Sequence, residues 1–99
     1  MIVSVYIHGY ELRLTCYACP EQYDVYDPTG KQVAYIRLRH GTVRVYGPDY
    51  GGEIVYEAQT IGDGIFDSSE RMKHLYHAIE GVQRHIINKA HSNITDYEL

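Results

Sequence analysis

Cys16 and Cys19 stand in the C-x-x-C spacing that serves as half of a zinc site or as a thiol redox pair. A zinc knuckle needs two further ligands, and only His8 and His40 sit in turns that could approach. A redox pair draws its low thiol pKa from the start of a helix, whereas this pair ends a strand and precedes Pro20 and Glu21. Structural cysteines at a strand end are the simpler expectation. His74 and His77 are spaced to place two imidazoles together, with His85 further along the same helix, but no carboxylate or cysteine completes a metal set locally. Solvated histidines are expected there. His40, between Arg39 and Gly41, could move a proton beside the arginines, and a small enzyme using it with Cys16 or Cys19 is a third-ranked reading. The run from Gly62 to Glu70 has the outline of a calcium loop without its alternating oxygen ligands, so a turn into a capped helix explains it better. Ser68 and Ser69 lack a nucleophile elbow, and there is neither a Walker loop nor a dinucleotide fingerprint. No catalytic set, metal or cofactor is therefore assigned.

The elements that position these groups follow from hydrophobic period. Alternation of apolar and polar residues predicts strands over Ile2 to Ile7, Tyr10 to Tyr17, Tyr23 to Tyr26, Val33 to Arg39, Thr42 to Tyr46 and Glu53 to about Ala58. His8-Gly9 and His40-Gly41 read as hairpin turns, and Asp27-Pro28-Thr29-Gly30 is a strong turn signal. From Asp67 the period changes to that of a helix, with Met72, Leu75, Tyr76, Ile79, Val82, Ile86 and Ala90 on one stripe. Asp67 and Glu70 resemble a capping box. The expected fold is α+β: an antiparallel sheet of five to six strands in consecutive hairpins over residues 1–60, packed on one amphipathic helix over 67–92, with a frayed tail over 93–99. Residues 1–99 form a single domain on this reading.

With the helix on one face of the sheet, alternation sends Arg13, Thr15, Tyr17, Tyr35, Arg37, Arg39, Arg44 and Tyr46 to the other, while Leu12, Leu14 and Cys16 point inward. Guanidinium groups interleaved with phenol rings can hold phosphate or carboxylate and stack on bases or aromatic side chains. Arg13, Tyr17, Tyr35, Arg37, Arg39, Arg44 and Tyr46 are accordingly the candidate binding residues. The competing expectation is plain solvation, with Glu11, Asp24 and Glu57 neutralising the same arginines across the strands.

Composition narrows the partners. Eleven tyrosines with one phenylalanine and no tryptophan give an aromatic content that is almost wholly amphipathic. A net charge of -4 argues against a protein that grips duplex nucleic acid by neutralising phosphates. No apolar run has the length of a membrane span, and the opening MIVSVYIHGYELRL lacks the order of a secretory signal, so a cytoplasmic protein is expected. Two cysteines cannot make a framework of several disulfides.

The blocks ACPEQYDVYD, YIRLRHG and GDGIFD, within a stretch from Tyr10 to Phe66, resemble small bacterial or phage proteins that have no assigned activity. That resemblance implies a short stand-alone accessory protein of the kind carried on mobile DNA, and transfers no site residues. The leading expectation is a noncatalytic binding protein that self-associates or meets a protein partner through the Arg and Tyr face or a sheet edge. Binding of a phosphorylated small molecule or single-stranded nucleic acid on the same face is the alternative.

Overall fold

The computed structural model describes residues 3–18, 20–48 and 52–98, with side chains described through residue 89. Six strands follow one another as β1 (Ser4–Ile7), β2 (Tyr10–Cys16), β3 (Glu21–Tyr26), β4 (Gln32–Arg39), β5 (Thr42–Gly47) and β6 (Glu53–Gln59), and the chain ends in one helix, α1 (Arg71–Glu98). Every strand pairs antiparallel with its sequence neighbour, so the sheet is an open meander in the order β1-β2-β3-β4-β5-β6. This is the α+β architecture the two periodicities predict.

The turns explain why neighbours pair. His8 and Gly9 have φ of 53° and 83°, and His40 and Gly41 have 54° and 72°. Two successive left-handed residues make a type I′ turn, whose twist matches that of the flanking strands. Each His-Gly dipeptide joins a directly paired couple, Ile7 with Tyr10 and Arg39 with Thr42. Between β3 and β4, the Asp27 carboxylate accepts from the Thr29 amide at 2.9 Å and the Lys31 amide at 3.0 Å, closing the turn from within.

The core lies between the sheet's inner face and α1. Ile7, Leu12, Val25, Ile36, Leu38, Val43 and Val45 meet Leu75, Ala78, Ile79 and Val82 in one buried cluster with Phe66 and Tyr23. Burying each large aliphatic side chain stabilises the fold by about 1.5–3 kcal/mol relative to leaving it in water. The buried side of the helix follows the expected stripe in part: Leu75, Ile79 and Val82 are buried, and the side chain of Ala90 lies outside the described ones. Met72, Tyr76 and Ile86 are 45%, 46% and 41% exposed, whereas His74, expected in solvent, is buried. The helix is rotated so that Gly81 faces β6, where an added Cβ would stand 2.7 Å from the Val55 carbonyl oxygen. A residue with no side chain is what allows the two backbones to come so close.

The expected caps are present: the Asp67 carbonyl accepts from the Glu70 and Arg71 amides, its carboxylate accepts from the Ser69 amide, and Glu70 reaches back to the Asp67 amide at 3.0 Å. The helical backbone starts at Arg71 and runs to Glu98, further than residue 92, because nothing in SNITDYE is a glycine or proline that would stop it. Among the described side chains the last buried one on the helix is Val82, and the helix, about 42 Å long, runs on beyond it.

Candidate interaction surface

The outer face is built from rows of cross-strand neighbours. One row runs Ser4, Arg13, Asp24, Tyr35, Tyr46 and Ile54; the next runs Gln22, Arg37, Arg44 and Glu57; a third contains Arg39, Thr42 and Gln59. Six of the seven candidate residues lie in these rows: Arg13, Tyr35 and Tyr46 in the first, Arg37 and Arg44 in the second, and Arg39 in the third. Tyr17 lies apart, in a bend past the end of β2 and 74% exposed.

Three irregularities change which face a side chain takes. The register shifts between Leu14 and Cys16, bringing Cys16 opposite Gln22, an outer position, instead of leaving it inward with Leu12 and Leu14. A second shift leaves Val33 out of register, and Val33 packs against the core instead of sharing the face of Tyr35 and Arg37. A third falls at Val55, so that Val55 and Tyr56 both pack inward.

The arginines differ in how much of their hydrogen-bonding capacity is free. Arg13 donates Nε and one terminal nitrogen to the two oxygens of Glu11, each at 3.2 Å, and its guanidinium lies 4.6 Å from the centre of the Tyr26 ring. Glu11 also accepts from the Ser4 hydroxyl at 2.6 Å. The bonds from Arg13 and Ser4 hold the Glu11 carboxyl below its ordinary pKa. Arg44 is paired with Glu57 by a hydrogen-bonded ion pair, which raises the Arg44 pKa further. Asp24 is pushed up by burial, with the nearby Arg13 charge pulling the other way. Arg37 has its Nε screened from solvent without a hydrogen-bond partner among the described residues, and Arg39 is exposed. Tyr35 does not project as expected: it is 2% exposed, donates to the Gln22 side-chain oxygen at 2.6 Å and has its ring 6.3 Å from that of Tyr46. It is the floor of the face, whose more accessible tyrosines are the exposed Tyr6 and the half-buried Tyr26 and Tyr46.

At the end of the sheet near His40, a depression of about 340 Å³ is lined by Pro20, Arg39, His40, Asp63 and Gly64. Cys16 is a free thiol that donates to the Ala18 carbonyl at 3.5 Å, and Cys19 lies outside the described residues. Among the described residues no cluster of three or more His, Cys, Asp or Glu side chains could hold a metal.

The groups that the sequence reading missed lie where the last loop enters the helix. Glu21 is 2% exposed, yet it accepts from the Phe66 amide at 2.9 Å and from Arg71 Nε and a terminal nitrogen at 3.0 and 3.1 Å. Burial and the same carboxylate raise the pKa of Tyr23, which donates to Glu21 at 2.5 Å. Next to it, buried Glu70 accepts from the Ile61 and Gly62 amides, both at 2.8 Å, and lies 3.3 Å from His74 Nε2. A carboxylate oxygen only accepts, so in the neutral imidazole Nε2 carries the proton and Nδ1 accepts from the Tyr56 hydroxyl at 3.2 Å. Burial would raise the Glu70 pKa, but the three backbone donors and His74 together bring it below its ordinary value of 4.5. Every oxygen of this pair of carboxylates is engaged within the protein. The arrangement fixes the loop and helix; it offers no open nucleophile or vacant ligand position.

No family model, curated protein or solved structure matches the chain. Among the described residues no helix is long and apolar enough to cross a membrane.

Proposed function

We propose that the chain is a noncatalytic binding protein, acting in the cytoplasm, that self-associates and meets a protein partner on its open sheet. One observation favours a protein over a phosphate as the partner: Arg13 and Arg44, half of the face's arginines, are already engaged by Glu11 and Glu57, the pairing that a plainly solvated face would also show. A face whose charges are balanced from within has little free positive potential for phosphate, while its Tyr and Arg side chains suit the anchoring contacts of protein interfaces. A role of this kind fits the short accessory proteins that the sequence blocks resemble.

Binding of a phosphorylated small molecule or single-stranded nucleic acid rests on Arg37 and Arg39, which have no described carboxylate partner. Salt separates the two readings. Titration with nucleotides and oligonucleotides at low and high ionic strength should give no steeply salt-dependent binding, and Arg37→Glu with Arg39→Glu should abolish capture of a protein partner while leaving the circular dichroism spectrum unchanged. Tight oligonucleotide binding that collapses with added salt would overturn the protein-partner reading in favour of the second.

A further inference from the structure

The two edges of the open sheet are not alike. β6 carries Glu53 and Glu57, is interrupted by the irregularity at Val55, and has His85 and Lys89 each 3.8 Å from Glu53. Charges and a bulge are the devices that discourage strand addition. β1 has none of them: Ser-Val-Tyr-Ile is uncharged and rich in residues that favour strands.

The free backbone groups of β1 can be assigned. The two-residue turn makes Ile7 and Tyr10 a hydrogen-bonded pair, so by alternation Val5 and Leu12 are the next, and the Val3 carbonyl accepts from the Leu14 amide at 2.8 Å. Ser4 and Tyr6 therefore turn their N–H and C=O groups away from β2.

We infer that β1 pairs antiparallel with β1 of a second copy, across a two-fold axis at Val5. This rests on the self-association reading and specifies its surface. With Ser4 opposite Tyr6 of the second copy, both outward donors and both outward acceptors of each strand are used, and the two Val5 side chains meet on the inner face. An isologous contact sets a strand against itself, so β6 paired about Val55 would set Glu53 against Glu57 of the second copy, whereas β1 has no charge to oppose. The exposed apolar groups nearby fit the same arrangement. Val3 is 47% exposed, and the exposed Tyr76 has its ring 5.8 Å from that of His8 at the β1–β2 turn, with the exposed Met72 one helical turn before it. A second copy continuing the sheet brings its own inner face beside these groups.

Sedimentation equilibrium of the full chain tests the pairing. The wild type should show twice the 11.4 kDa chain mass as concentration rises. Tyr6→Pro removes an outward donor without breaking a ladder bond and should give the single-chain mass; Tyr6→Lys, at a position 69% exposed, should do the same if the proline variant fails to fold. Ile54→Lys on β6 should leave the dimer intact. A dimer that survives both Tyr6 variants would overturn the β1 pairing while leaving self-association through another surface. A wild type of single-chain mass at every concentration would overturn both, even if its extended edge captured a different protein.

Discussion

The loop-to-helix junction and the outer sheet face use the same carboxylate and guanidinium chemistry in opposite solvents. At the junction, Glu21 is sealed from water and receives the Arg71 fork, a backbone amide and a phenol. On the outer face, Arg44 and Glu57 form one ion pair with 42% and 47% of their side-chain surfaces exposed. A buried carboxylate has lost its hydration and depends on its partners, while water replaces either partner on the face. The junction is therefore a place where change unfolds the protein, and the face is a place where sequence can be spent on recognition.

The largest test of that contrast is Arg71→Ala, which strands Glu21. Removing one partner of a buried pair costs about 3 kcal/mol or more, and urea denaturation should find a loss of that size. The matching change on the face, Arg44→Gln, should leave the midpoint within the scatter of replicate melts. Gly81→Ala comes next. Alanine ordinarily favours a helix over glycine by about 1 kcal/mol, but here the new methyl meets the Val55 carbonyl, and forcing helix and strand apart costs about 1–3 kcal/mol. Net destabilisation of about 1 kcal/mol is expected, and a stabilised variant would show that the close approach is not maintained.

The smallest effect is in pH. Because the folded Glu70 pKa lies below its ordinary 4.5, the unfolded chain takes up the proton first as acid is added. Stability from Glu70 is thus fully present above about pH 4.5 and is lost as pH falls through the lower folded value. Melts of wild type and Glu70→Gln should differ most near neutrality and converge under acid. A gap that stays constant with pH would remove the ionised carboxylate from this account.

Strands, hairpins and the helix were legible because each rests on local period and turn chemistry. Two things were not. A bulge inserts one residue without altering composition, so nothing in the sequence marks Thr15, Val33 and Val55 as the positions where alternation breaks and Cys16, Val33 and Val55 change face. Helix rotation is only half legible: Leu75, Ile79 and Val82 of the apolar stripe are buried, but Met72, Tyr76 and Ile86 are not, because packing places Gly81 against β6 for closeness and His74 between its two partners. Glu21 did leave a signal: it alternates with Tyr23 and Val25 on the inward side of a strand, and a carboxylate there demands a cation such as Arg71. The Glu70 to His74 spacing was readable in the same way, as neighbours one helical turn apart.

Amide hydrogen exchange of the full chain at low and high concentration tests most directly whether one edge of the sheet is open for a second copy. The amides of Ser4 and Tyr6 should become protected as concentration rises while those along the free side of β6 keep their rates. Unchanged exchange at Ser4 and Tyr6, or protection gained on β6 instead, would contradict it.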